Sequence, residues 1–389
     1  MNYVSLFSSA GVGCFGLKME GFECVATTEL IERRLNIQVV NNKCKYDNGY
    51  VLGDITDEIV KGKLYSSIEY YKDKENVRDI DVVIFTAPCQ GMSVANHKKN
   101  DGTIEKNSLV VEALEIVKKI KPKFFIAENV RAFMNTKCID HGSEKKIEDA
   151  FSDWLSEDYV YESKIINFKN FGANSSRTRT LVIGIRKDFE SSIEISKLFP
   201  QEEPEKTLKE VIGHLPSLNI MGEINEEDIY HNFKKYRTDM RNWIHDLKEG
   251  ESAFDNKDPL KRPHKITPDG EVIFNVKKNG DKYTRQKWNV VAPCIHTRND
   301  IMASQNTLHP TDDRVFSIRE LMLMMNIPDE FKWSNISEED LNNLTFEEKT
   351  LFLKKNEINI RQSIGEAIPT IIIQKIAQNI KECINGTER

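Results

Sequence analysis

The feature that most constrains this chain is the alternation in its first half. Short apolar runs in "NYVSLF", "ECVATTE", "YVLGD", "IDVVIF", "KFFIAEN" and "RTLVIGIR" are separated by stretches with helical spacing. Between the fourth and fifth, "SLVVEALEIVKKIKP" repeats apolar residues at Leu109, Ala113, Ile116, Val117 and Ile120, with Ser108 placed to cap the start. Such a series predicts an α/β fold with a doubly wound, mostly parallel sheet. Sheets of this kind bind ligands outside the carboxyl ends of their strands, so the residues there are the ones to examine.

After Pro200 the pattern breaks. Residues 201–308 are polar, punctuated by Pro, Gly and Asn, and predict a second, smaller, irregular domain extending to residue 335. "RVFSIRELMLMMNIP" reads as helical from 314 until Pro328 stops it, and "SEED" at Ser337 and "TFEE" at Thr345 are capping-box starts. The segment "PTIIIQKIAQNIKECI" sets Ile372, Ile376, Ala377, Ile380 and Ile384 on one helix face, so residues 336–389 are expected to return and complete the first domain, residues 1–200.

No apolar run approaches the ~20 residues that span a bilayer, and "MNYVSLFSSAG" has no basic stretch before its apolar run. A cytoplasmic protein is expected, with no membrane partner. The seven cysteines are scattered with no CxxC pair, which argues against disulfides and structural zinc; no metal is expected. The net charge of −6 argues mildly against nucleic acid, yet residues 257–287 form a locally basic segment within this acidic chain.

Several strand ends carry chemistry-bearing groups. After the first run, "FSSAGVGCFGL" brings Gly11, Gly13 and Gly16 into a turn that lets backbone amides approach a nucleotide-like ligand. Glu29 and Asp54 end the second and third runs, where an acid accepts from ribose hydroxyls or, equally, caps a helix. Cys89 stands just past the fourth run, after Pro88, and as a nucleophile it needs a nearby cation or helix N-terminus. Glu128 closes the fifth, a partly desolvated carboxyl suited to holding or donating a proton. Arg177 and Arg179, two apart on an alternating strand, point to one face. A thiol, a proton donor and two arginines beside a nucleotide-shaped pocket suggest covalent attack on an electrophile.

In order along nearly the whole chain, these motifs resemble the DNA (cytosine-5)-methyltransferases. "LFSSAGVG" is similar to the family's S-adenosylmethionine loop, Glu29 to its ribose acid and "GDI" to its adenine-contacting segment. "PCQGMS" resembles the Pro-Cys motif, "ENV" the Glu-Asn-Val motif, "RTR" the arginine pair, "RVFSIRELMLMMNIPDEF" the motif near the end of the specificity domain, and "GEAIP" the last cofactor motif. The sequence departs from the family pattern at Ser9 and Val12, where glycines are usual, at Ser175 for glutamine and at Glu366 for asparagine.

The resemblance implies a Rossmann-like, S-adenosylmethionine-dependent catalytic domain and a target-recognition domain between the arginine pair and "RVFSIRE". Cys89 would add to carbon 6 of a flipped cytosine, Glu128 would hydrogen-bond N3 and the exocyclic amine, Arg179 the carbonyl, and Arg177 would hold the catalytic loop. By the same resemblance Phe7, Ser9, Ala10, Gly11, Gly13, Glu29, Leu30, Asp54, Ile55, Pro88, Leu109, Glu366 and Ala367 would bind S-adenosylmethionine and release S-adenosylhomocysteine. Double-stranded DNA would be contacted by Ser93, Asn96, Lys98 and Lys99 on the loop closing over it, and by Arg237, Arg241, Arg262, Lys265, Arg285 and Arg298. A monomeric, nucleoid-associated enzyme is expected, working alongside a restriction endonuclease without a stable complex. The competing readings are a transfer RNA substrate, a catalytically silent DNA-binding scaffold and a small-molecule methyltransferase.

Overall fold

A computed structural model describes residues 1–88, 107–190, 193–276 and 281–387. The chain divides into two compact units, the first made of Met1–Phe171, Thr178–Glu203 and Ile368–Arg389, the second of Gly172–Arg177 and Pro204–Ala367.

The strands of the first unit are β1 (Asn2–Leu6), β2 (Glu23–Glu29), β3 (Tyr50–Leu52), β4 (Val82–Phe85), β5 (Phe124–Val130), β6 (Lys137–Asp140), β7 (Ser143–Lys146), β8 (Tyr159–Asn167) and β9 (Thr178–Arg186). Seven of them form one sheet in the order β3-β2-β1-β4-β5-β9-β8. The first five are parallel, while β9 runs antiparallel to both β5 and β8. The order reverses between β1 and β4, which makes their carboxyl ends the switch point where ligands bind in such sheets. β1 and β4 are buried along their length, as a sheet covered by helices on both faces requires. Phe85, Phe125 and Phe151 stack beneath it with centroids 6.2–6.4 Å apart.

Helix α1 (Phe15–Met19) follows the first turn, α2 (Glu32–Val40) follows β2, α3 (Glu58–Glu75) follows β3, and α4 (Leu109–Ile120) precedes β5. Ser108 does not cap α4; its hydroxyl accepts from the Ile139 N–H at 2.8 Å, tying the helix start to β6. The run "YVYESKIIN", absent from the expected strands, forms β8, because the antiparallel β9 supplies a full ladder for a half-polar edge strand.

In the second unit Trp243, Ile244, Leu247, Tyr283, Met302, Leu308 and Val315 gather into a core. A hairpin of β10 (His264–Ile266) and β11 (Val272–Phe274) is its regular sheet among the described residues. The helix expected from residue 314 spans only Ile318–Met324, because Ser317 caps it through a reciprocal box with Glu320 and Arg314 is held by Asp312 and Glu320. Ser337 and Thr345 cap the next two helices, Glu338–Asn342 and Phe346–Glu366; both group with this unit, so of the expected return over 336–389 only the part from Ile368 onward joins the first unit. The terminal helix Thr370–Thr387 belongs to the first unit, with Ile372, Ile376, Ala377 and Ile380 buried.

Candidate active site

At the carboxyl end of β1 the chain turns through left-handed backbone at Phe7, Ser9 and Gly11, with φ of 56°, 45° and 80°. Serine in this region costs roughly 1 kcal/mol more than glycine, so something must hold it there. Its N–H donates to Glu29 Oε2 at 2.7 Å, and its carbonyl accepts from Gln38 Nε2 at 2.6 Å. Gly11 brings backbone close to a side chain, since a Cβ there would lie 3.2 Å from Gln38 Cγ. Ala10 between them is 1% exposed.

Glu29 also accepts from the Ile31 N–H at 3.0 Å, just ahead of α2, whose start has no side-chain cap; the acid braces the loop and does not cap the helix. Leu30 beside it is 64% exposed. Asp54 takes the Thr56 N–H and hydroxyl at 3.0 and 2.8 Å, while Ile55 is buried in the core.

Gly13 and Gly16 serve packing. A Cβ on Gly16 would lie 2.5 Å from both Thr370 O and Gln374 N, and one on Gly13 would lie 3.2 Å from Ile368 Cβ. Their missing side chains admit the terminal helix against α1, and the Thr370 hydroxyl donates to Val12 O at 3.1 Å.

Residues 86–88, leading out of β4, are pinned from two sides. The Thr86 hydroxyl donates to Phe7 O at 2.9 Å, and Asn129 Nδ2 donates to Ala87 O at 2.9 Å. The root of the segment that carries Cys89 is thereby tied to both neighbouring strand ends. Cys89, Ser93, Asn96, Lys98 and Lys99 lie outside the described residues, as does the expected closing loop 91–106. Leu109, at the start of α4, is half-buried.

On β5, Glu128 is 7% exposed and Arg179 Nε approaches its Oε1 to 3.1 Å. The ladder pairs Glu128 with Leu181 and Val130 with Arg179, which puts the carboxyl and the guanidinium on one face, diagonally across two strands. Glu128 Oε1 is buried and has no aligned hydrogen bond. The pair is therefore a contact of charges with acceptor capacity left over.

Of the arginine pair only Arg179 lies in β9. Arg177 precedes the strand and belongs to the second unit, where Nη1 donates to Ile295 O and Gly365 O, both at 3.3 Å. Glu366 is exposed and Ala367 buried at the end of the Phe346–Glu366 helix.

Among the residues expected on DNA, Arg237, Arg262, Lys265 and Arg298 are exposed. Arg241 is half-buried and ion-paired to Asp313 at 3.1 Å. Arg285 is a correction. It is 3% exposed, and its guanidinium donates to the carbonyls of Ile244, His309 and Asp312 and to the Asp313 carboxylate. An arginine that gathers three buried carbonyls and a carboxylate organises the core of its unit and is withdrawn from any groove.

Sequence reasoning did not single out Asn129, which holds Ala87, or the pair Gln38 and Lys43 beneath the turn after β1. Asn129 was visible inside the "ENV" motif. The other two carry no local signal, because α2 and the turn after it bring them under the loop only once folded.

A doubly wound sheet with a left-handed turn after β1, an acid ending β2 and a buried carboxyl beside the switch point is a site of the class that holds nucleotide-like ligands at the carboxyl ends of the strands. The family model of the C-5 cytosine-specific DNA methylases matches residues 1–382, and the chain belongs to that family. It is 26% identical over 389 residues to the type II methyltransferase M1.HgaI of Avibacterium volantium, covering 97% of each chain. It is also 26% identical to the type II methyltransferase M1.HphI of Haemophilus parahaemolyticus, covering 98% of this chain and 86% of that one. In fold it is similar to a prophage-encoded protein of E. coli assigned as a DNA modification methyltransferase, at TM-score 0.65 and 18% identity over 99% of both chains. The Dnmt2 methyltransferase of S. pombe is similar at TM-score 0.58 and 12% identity over 99% of both. No helix among the described residues is long and apolar enough to cross a membrane.

Proposed function

We propose that the protein methylates carbon 5 of a cytosine flipped out of double-stranded DNA, through a covalent adduct with Cys89, as the protective enzyme of a restriction-modification system. The observation that carries this reading is the buried Glu128 carboxyl with unused acceptor capacity, 3.1 Å from Arg179 and one strand away from the pinned residues that lead into Cys89.

The Cys89 thiolate forms a bond to carbon 6, and the ring electrons move to carbon 5. Glu128 holds N3 and the exocyclic amine, and Arg179, already oriented by Glu128, offers its remaining N–H groups to the cytosine carbonyl. Bound S-adenosylmethionine supplies an electrophilic sulfonium methyl. Once carbon 5 has taken that methyl with the ring electrons, S-adenosylhomocysteine being left, departure of the carbon-5 proton releases the thiolate and restores the aromatic ring. Flipping costs a few kcal/mol of pairing and stacking, which contacts to the flipped base must offset.

The left-handed residues of the loop, at the carboxyl end of β1 beside the switch point, support placing the methyl donor there. Phe7, Ser9, Ala10, Gly11, Glu29, Leu30, Asp54, Ile55, Pro88 and Leu109 would hold it, with Gly13 acting through packing; Glu366 and Ala367 are assigned to it by the family resemblance alone. Arg177 would support the catalytic loop. Arg237, Arg262, Lys265 and Arg298 would meet DNA, along with Ser93, Asn96, Lys98 and Lys99.

Expression in cells that lack cytosine methylation, with Cys89→Ala in parallel and base-resolution reading of 5-methylcytosine, tests the proposal. One short motif methylated by the wild type and bare in the variant supports it. Two bare genomes, with methyl transfer to RNA or none at all, overturn it.

A further inference from the structure

Beneath the loop of residues 8–11 lies a lysine that none of the steps above uses. Lys43 is 8% exposed, and no carboxylate stands within 4 Å of its Nζ among the described residues. The ammonium donates instead to Ser5 Oγ at 3.1 Å, Thr27 Oγ1 at 2.9 Å and Gln38 Oε1 at 3.0 Å. A buried cation satisfied only by neutral acceptors is an expensive arrangement, and a shorter apolar residue would fill the space without it.

Its consequence is directional. An ammonium donates only, whereas hydroxyls and amides both donate and accept, so Lys43 fixes the sense of the bonds around it. Gln38 must turn its oxygen to Lys43, where Thr27 Oγ1 also donates at 2.8 Å, and this leaves Nε2 facing Ser9 O at 2.6 Å. Thr27 Oγ1 lies 2.7 Å from Ser8 Oγ, and Ser8 Oγ lies 2.5 Å from Ser5 Oγ. With the Thr27 proton given to Gln38, Ser8 donates to Thr27 and Ser5 to Ser8. A reversed amide at Gln38 would set its oxygen against the Ser9 carbonyl and release the loop.

Pulling the Ser9 carbonyl down has an effect one atom further on. In a trans peptide the C=O and the next N–H point in opposite directions, and no peptide bond among the described residues is cis. The Ala10 N–H is therefore turned away from the network, and among the described residues nothing accepts it. Buried backbone donors without an acceptor are rare.

We propose that Lys43 is a positioning residue for the cofactor: by fixing the Gln38 amide it holds Ser9 in the left-handed conformation that a glycine would adopt unaided, and so aims the Ala10 N–H at the carboxylate of the methionine moiety. This inference rests on the S-adenosylmethionine reading. Lys43 compensates for the serine that stands where the family has glycine.

The test is a double-mutant cycle of Lys43→Met and Ser9→Gly, read as the dissociation constant for S-adenosylhomocysteine by calorimetry. The kcat at saturating S-adenosylmethionine is measured alongside, and circular dichroism serves as the check on folding. With Ser9 present, Lys43→Met should weaken binding about tenfold, equivalent to ~1.4 kcal/mol, while kcat changes by less than about twofold. In the Ser9→Gly background the same substitution should weaken binding less than about threefold. A wild-type constant in Lys43→Met, or an equal loss in both backgrounds, overturns the proposal. If Lys43→Met does not fold, Gln38→Leu replaces it in the same cycle, with the same outcomes. Absence of binding by the wild type itself would instead overturn the cofactor reading on which the proposal stands.

Discussion

Arg179 Nε sits 3.1 Å from Glu128 Oε1, diagonally across the antiparallel ladder that joins β5 to β9, with both side chains largely buried. The two groups hold each other before any base arrives, so each should lose function when the other is changed.

Replacing Glu128 with Gln keeps the shape and one acceptor but removes the charge and the proton-holding capacity. Single-turnover methyl transfer should fall by about 10²- to 10⁴-fold, with S-adenosylhomocysteine affinity within about twofold of the wild type. Arg179→Met leaves a buried carboxylate uncompensated and should lower stability by about 3 kcal/mol, read as the shift in urea midpoint. An active Glu128→Gln enzyme would remove this pair from the chemistry.

The arginines of the second unit divide by burial. Arg298→Ala and Arg262→Ala should weaken DNA binding for all sequences alike and reduce the slope of log affinity against log salt by about 1 each. Arg285→Ala should unfold or strongly destabilise its unit, because three carbonyls and Asp313 lose their donor. Fluorescence anisotropy across a salt series, with thermal melting beside it, separates the two classes.

Acid should weaken the second unit before the first. Burial pushes His309 down to about 4, and its Nδ1 accepts the Asp312 N–H at 2.9 Å, so the ring is neutral and its contact with Glu320 is not an ion pair at neutral pH. The folded state refuses a proton that the unfolded chain accepts, so stability is lost as pH falls from 6.5 towards 4, by roughly 3 kcal/mol in the limit. Burial alone would raise Glu320, but Arg314 beside it, bonded at 2.7 and 2.8 Å, holds it well below the carboxylate range. Its contribution is present above the unfolded value of 4.5 and is lost below it, which steepens the fall. Urea unfolding at about pH 7 and about pH 5, compared with His309→Gln, checks this: the variant should show less than about half the wild-type change.

Gly16→Ala introduces a methyl group where the backbone of the terminal helix already stands, 2.5 Å away. Destabilisation of about 1–3 kcal/mol is expected, together with weaker S-adenosylhomocysteine binding, since α1 follows directly from the cofactor loop. A variant as stable as the wild type would show that the helix shifts freely.

Much of this protein was legible in its sequence. The alternation of apolar runs and helical spacing is local information, and it specified β1 to β5, the parallel sheet and the strand ends where Glu29, Asp54 and Glu128 stand. Ser337 and Thr345, each followed three residues on by an acid, marked their helix starts, because a cap is completed within one turn; the same pattern at Ser317 was passed over for the apolar run beginning at 314. The tertiary structure alone decided the rest. β8 needed a partner to become a strand. The register of β9 chose which residue Arg179 would face. Arg285, charged and set in a basic segment, went inward because four acceptors converge on it from segments far apart in the chain. Lys43 lies beneath the cofactor loop for the same reason. Periodicity encodes which face of an element is buried; it carries no information about which distant polar groups will meet there, and those meetings determine where a charge is affordable.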